Sequence, residues 1–137
     1  IGFSSATLKD YINSALLEES EFVERGQFVT DVLGLIDDDE KLEYNGGNFD
    51  DISNGKTYTE AVGRAKQLKL ITGDENNLFM PEDDITVSEL KEIVLAVLDF
   101  KGKRENFNFK AFDNLSDEKV SLLDEAYILR KLYEALN

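Results

Sequence analysis

A chain of 137 residues fits one domain, and its 42% of hydrophobic residues supplies a core and excludes a disordered chain. Acidic residues number 29 against 15 basic, and the resulting net charge of −14 disfavours phosphate backbones and anionic lipid as partners. Cysteine and histidine are both absent, so disulfides, thiolate or imidazole metal sites and every His-dependent catalytic arrangement are excluded.

Carboxylates remain as the main acid–base candidates. The longest apolar runs fall far short of the ~20 residues of a membrane span, so no membrane insertion is expected. No leader-like segment opens the chain, and its start at Ile1 suggests a processed or trimmed form.

Residues 7–18 predict an amphipathic helix, with Leu8, Tyr11, Ile12, Ala15 and Leu16 on one face. A polar turn follows, then a second helix over 23–36 with Phe28, Val32, Leu35 and Ile36 inward. The acidic run Asp37–Glu40 and the Asn-Gly-Gly signal at 45–47 predict a loop. A third helix is expected over 57–70, led by Tyr58 and carrying Ala61, Val62, Ala65 and Leu68. Gly73 is expected to stop it in a left-handed turn. A loop through Leu78, Phe79 and Pro81 leads to a fourth helix. Thr86 or Ser88 can cap it, Thr86 and Glu89 fit a capping box there, and Phe100-Lys101-Gly102 ends that helix. Residues 101–110 lack helix signals, and Phe107, Phe109 and Phe112 suggest a short extended piece. A last helix spans about 120–136. The fold class is therefore mainly α, with at most minor short β pieces.

The chain also repeats. Residues 23–36 align with 85–98, pairing Val23 with Ile85, Phe28 with Leu90, Val32 with Val94, Leu33 with Leu95, Leu35 with Val97 and Ile36 with Leu98. Gln27 faces Glu89 in that alignment. A looser third copy is 120–133. Its register stays open: Glu125-Ala126 can stand for Glu89-Leu90, and either Leu122 or Leu123 can face Arg25. Helix pairs of this kind cannot bury their stripes alone and must pack together.

Over 49–102 the spaced string Phe49-Asp50-Asp51-Ile52, Tyr58-x-x-Ala61-Val62-x-x-Ala65-x-x-Leu68-x-Leu70-Ile71-x-Gly73-Asp74, Phe79-x-Pro81 and Ile85-Thr86-x-x-Glu89 resembles an S-layer homology (SLH) repeat. That family's pattern has a Phe-x-Asp-Val-like opening, an aromatic-led helix ending in a Gly-Ile-Ile-x-Gly-like turn, a Phe-x-Pro loop and an Ile-Thr-Arg-Ala-Glu helix start. The resemblance implies helix–loop–helix repeats in a pseudo-threefold bundle. Residues 1–36 would be a shortened first repeat, 37–102 a complete second and 103–137 a divergent third.

The resemblance further implies a non-catalytic module of a secreted protein, from a Gram-positive bacterium, held at the cell wall or S-layer. Its partner would be a secondary cell-wall polysaccharide, often pyruvylated, with no cofactor and no metal. Ligand-binding candidates carried over are Arg25, Gln27, Tyr58, Gly73, Thr86 and Glu89. Arginine suits a polymer carboxylate because its rigid fork offers two parallel hydrogen bonds.

The chain departs from the pattern at several of these places. Gln27 replaces the Glu of copy one, Val87 the Arg of copy two, Tyr58 the common Trp, and Lys69 the Gly before Leu70-Ile71. With one arginine of three kept, two roles follow: a single groove served by Arg25, or a degenerate unit acting as a scaffold, spacer or protein contact.

Other chemistry is less well supported. Asp37–Glu40 and Glu82–Asp84 read as solvated acidic runs rather than calcium ligands, the latter favourable beside a helix N-terminus. The 74–81 loop is not an EF-hand, since Leu78, Phe79 and Pro81 stand where oxygen ligands and glycine are needed. No spacing selects a glycosidase-like carboxylate pair. Phe107, Phe109 and Phe112 near Lys103, Arg104 and Lys110 read as core rather than a nucleic-acid surface.

Overall fold

The computed structural model describes residues 21–36, 47–115 and 118–137. The helix expected over 7–18 and the acidic run Asp37–Glu40 lie outside them. Within them are four α-helices: α1 (Arg25–Leu33), α2 (Thr59–Gln67), α3 (Val87–Lys101) and α4 (Leu122–Leu136). The mainly helical expectation holds, with helix ends drawn in from the sequence ranges.

The apolar periodicity becomes a continuous core. Leu90, Ile93, Val94, Val97 and Leu98 of α3 are buried, as are Phe28, Val29 and Val32 of α1 and Ile128, Leu129 and Leu132 of α4. Helix α1 packs on α2 and α4, and α3 on α4.

Among the described residues, the β features are three isolated antiparallel bridges: Phe22 with Ser121, Glu24 with Asp84, and Thr86 with Lys119. They join the three lead-ins of α1, α3 and α4 in cyclic order. The N-cap residue of each helix pairs with the residue two places before another helix's N-cap. The middle residues, Val23, Ile85 and Val120, are essentially sealed from solvent. Val23 N–H donates to Val120 O at 2.9 Å, and Ile85 N–H to Val23 O at 2.8 Å. The lead-ins thus satisfy each other's backbone groups around an apolar centre.

This ring fixes the third register. Ser121 stands with Thr86 and Glu24, Leu122 with Val87 and Arg25, and Asp124 with Glu89 and Gln27. Glu125 therefore falls at the place of Leu90 and Phe28, one position from the Glu89 alignment.

Two local expectations are corrected. Residues 104–106 and 109–114 form short 3-10 helices, not an extended piece. The Asn108 side chain accepts from Lys110 N–H at 3.0 Å and starts the second turn. The turn brings Phe107, Phe109 and Phe112 into one ring cluster, with centroids 5.4–6.5 Å apart.

The left-handed residue after α2 is Lys69 (φ 62), not Gly73. Leu70 N–H donates to Ala65 O, and Lys69 N–H to Lys66 O, completing a Schellman turn about Lys69, well before the expected stop. Gly73 is needed for another reason: a Cβ there would lie 2.8 Å from the Phe49 ring.

Candidate functional site

The site is built from the start of α1, the loop 72–84 and the start of α3. The loop is held from beneath. Phe79 is buried and stacks on Phe49, with centroids 5.3 Å apart and planes 15° from parallel. Both carboxylate oxygens of Asp51 accept from the loop backbone, from Phe79 N–H at 3.0 Å and Met80 N–H at 2.7 Å. Asp74 Oδ1 accepts from Asn76 and Leu78 N–H groups. These anchors hold Asn77 and Met80 at positive φ, 61 and 58. Phe79 is the plug the sequence suggests, whereas Leu78 is half-buried and faces a cleft.

Arg25 lies across this platform. Its Nε–H donates to Phe79 O at 2.9 Å, and its guanidinium sits 4.4 Å from the Phe79 ring centroid. Its Nη1 is ion-paired with Glu89 Oε2. The Arg25 side chain is only 14% exposed, against 37% for Glu89. The other Glu89 oxygen is also engaged, because Oε1 accepts from Thr86 N–H at 2.9 Å. Thr86 Oγ1 in turn accepts from Glu89 N–H at 3.2 Å, closing the expected capping box.

Two hollows open beside Arg25. One, about 250 Å³, reaches Leu70, Thr72, Glu92 and Ile93. The other, about 430 Å³, reaches Thr72, Gly73, Asp74, Met80, Asp83 and Thr86. Arg25, Phe79 and Glu89 line both. Among the described residues lining them, Arg25 is the single cation, set against Asp74, Asp83, Asp84, Glu89 and Glu92. Asp84 is paired with Lys119 at 3.1 Å.

Of the six sequence candidates, Arg25, Gly73, Thr86 and Glu89 therefore converge. Two do not. Gln27 points along exposed α1, where its Nε2 donates to Asp31 Oδ1 at 2.9 Å. Burial raises the Asp31 carboxyl to about 6, an effect this bond partly opposes. Tyr58 is a buried packing residue whose hydroxyl donates to Glu82 at 3.0 Å. Its ring fills the space beside Gly26, where a Cβ would come within 2.8 Å of it.

Asp51 and the carbonyl of Phe79 carry the platform without having been assigned a role from sequence. The Phe-x-Asp opening was the signal at Asp51 and the Phe-x-Pro loop the signal at Phe79, and what Asp51 caps is settled 28 residues later.

Residues 48–86 match the S-layer homology domain. Over 106 residues the chain is 32% identical to Exoglucanase XynX of Acetivibrio thermocellus, a match covering 76% of this chain and 9% of that protein. No solved structure matches the chain. The motif string, the helical architecture and the family match together place the chain, through residues 48–86, in the S-layer homology family of non-catalytic modules that hold proteins at the bacterial cell surface.

Proposed function

We propose that the chain anchors a secreted protein non-covalently to cell-wall polysaccharide, through the cleft around Arg25. The observation carrying this reading is the convergence of Arg25, Gly73, Thr86 and Glu89 on open hollows, in a domain type that serves attachment. Hydroxyl-rich ligands need fixed donors and acceptors beside an apolar wall. The guanidinium, the capping-box groups and the half-buried Leu78 supply that mixture. The chain acts as one unit of three copies, 1–36, 37–102 and 103–137, and the cyclic pairing of the lead-ins supports this division. Its setting is the wall or S-layer of a Gram-positive bacterium.

Co-sedimentation with purified wall sacculi tests the reading. The chain should pellet with intact sacculi, remain in solution after the polysaccharide is stripped, and lose pelleting in Arg25→Ala. A second reading, a protein-contact or spacer module, is favoured by one observation. Val87 and Leu122 occupy the places in copies two and three that Arg25 holds in copy one, which leaves a single arginine groove. Failure to pellet with any wall preparation would select it.

A further inference from the structure

Resting on the anchoring reading, we infer that Glu89 sets the ligand charge of the cleft, so that the cleft takes uncharged polysaccharide segments in preference to carboxylate-bearing ones. The guanidinium of Arg25 is not a vacant anion receptor. Its Nε is committed to Phe79 O, one face lies on the Phe79 ring, and Nη1 is committed to Glu89. A ligand carboxylate taking the two-nitrogen fork would have to displace a carboxylate that is itself fixed at both oxygens, one by Arg25 and one by Thr86 N–H.

Moving Glu89 aside would also open the capping box of α3. The incoming charge would then meet Asp74, Asp83 and Glu92 on the same walls, with no second cation among the described lining residues. Hydroxyl groups face neither obstacle. They can accept from the guanidinium N–H groups that remain and donate to the Glu89 carboxylate without breaking the pair. The Arg25–Glu89 pair also joins copy one to copy two, so ligand choice and the seam between copies depend on the same two side chains.

Glu89→Gln is the direct test, because glutamine keeps the cap by accepting from Thr86 N–H while removing the charge that holds Arg25. The probes are one purified wall polysaccharide with its carboxylates intact, and the same polymer after those carboxylates are reduced to alcohols. The unmodified chain should bind the reduced polymer at least as well as the acidic one. Glu89→Gln should gain on the order of tenfold for the acidic polymer, the scale of one charge-assisted contact, and lose affinity for the reduced one, whose hydroxyls give up their charged acceptor. Glu92→Gln removes a charge from the same hollow without touching Arg25 and should gain much less; its thermal midpoint should match that of the unmodified chain, while Glu89→Gln, which loses the charge paired with Arg25, should melt lower in a single cooperative transition.

Preference of the unmodified chain for the acidic polymer, or equal gains in Glu89→Gln and Glu92→Gln, would overturn the inference while leaving anchoring intact. Absence of binding by every protein to both polymers would instead remove the anchoring reading, and this inference with it.

Discussion

The starts of α1 and α3 hold equivalent places in the ring of lead-ins, yet they satisfy their free N–H groups by different means. At α3 the work is local: Thr86 and Glu89 bond to each other's backbone within one turn. At α1, Glu24 makes no side-chain cap. Arg25 N–H donates instead to Asp83 O at 2.9 Å, and Gly26 N–H to Pro81 O at 2.8 Å, both on the loop before α3. Both starts lean on another lead-in for the first donor, since Val87 N–H donates to Glu118 O. Beyond it, α3 is finished by its own sequence and α1 by the neighbouring copy. A duplicated pattern can thus keep its geometry while one copy hands its capping to the next, and that exchange frees Arg25 to lie across the cleft.

The widest departure between copies is at the fourth helical position, where Phe28 and Leu90 are matched by a buried Glu125. Burial raises the Glu125 carboxyl to about 8. Between its ordinary 4.5 and that value the folded chain keeps a proton that the unfolded chain releases, so stability should fall as pH rises through this window. Glu125→Gln should flatten this dependence and stabilise the chain at pH 8 by on the order of a few kcal/mol. Urea unfolding at a series of pH values measures it, and a residual slope below about pH 6 belongs to Asp31. An unchanged slope in the variant would refute the assignment.

At the second helical position the copies differ in crowding. A Cβ on Gly26 would lie 2.8 Å from Tyr58 Cγ and 3.1 Å from Pro81 Cβ, whereas Ser88 is exposed. Gly26→Ala should cost about 1–3 kcal/mol through overpacking, and Ser88→Ala less than about 0.5. Similar values for the two, by denaturant titration, would remove the asymmetry.

The caps themselves give a smaller contrast. Thr86→Ala should lose about 1 kcal/mol, while Glu24→Ala should lose almost nothing, because no cap bond is broken.

The smallest effect concerns the helix ends. Both α2 and α3 close in left-handed turns, α3 at Gly102 (φ 65) and α2 at Lys69 (φ 62). Lys69→Gly should raise stability by up to about 1 kcal/mol, since glycine carries no Cβ penalty there. A rise in the thermal midpoint checks it.

Much of this was legible in the residues. Helix period placed the buried stripes of α1, α3 and α4, because burial of an amphipathic face follows directly from 3.6-residue spacing. The capping box was readable because its partners stand three residues apart. Lys69 was visible as a departure from the family's glycine, but not as the left-handed residue, since Gly73 offers the glycine that such a turn favours and lysine does not. The phenylalanines of 107–112 were misread as extended because their spacing fits both a strand and tight turns; the Asn108 cap and the ring cluster decided between them.

By itself the sequence determined the helical class and the excluded chemistries, from local periodicity and composition, while the family resemblance named Arg25, Gly73, Thr86 and Glu89, which line one cleft. The tertiary structure alone decided the cyclic pairing of the lead-ins, the register of the third copy, the removal of Tyr58 and Gln27 from the cleft, and the commitment of Arg25 to Glu89 and Phe79. The pairing of the lead-ins and the contacts of Arg25 join residues 33 to 99 positions apart, and contacts at such separation are selected by backbone hydrogen bonding and core packing rather than by any local preference.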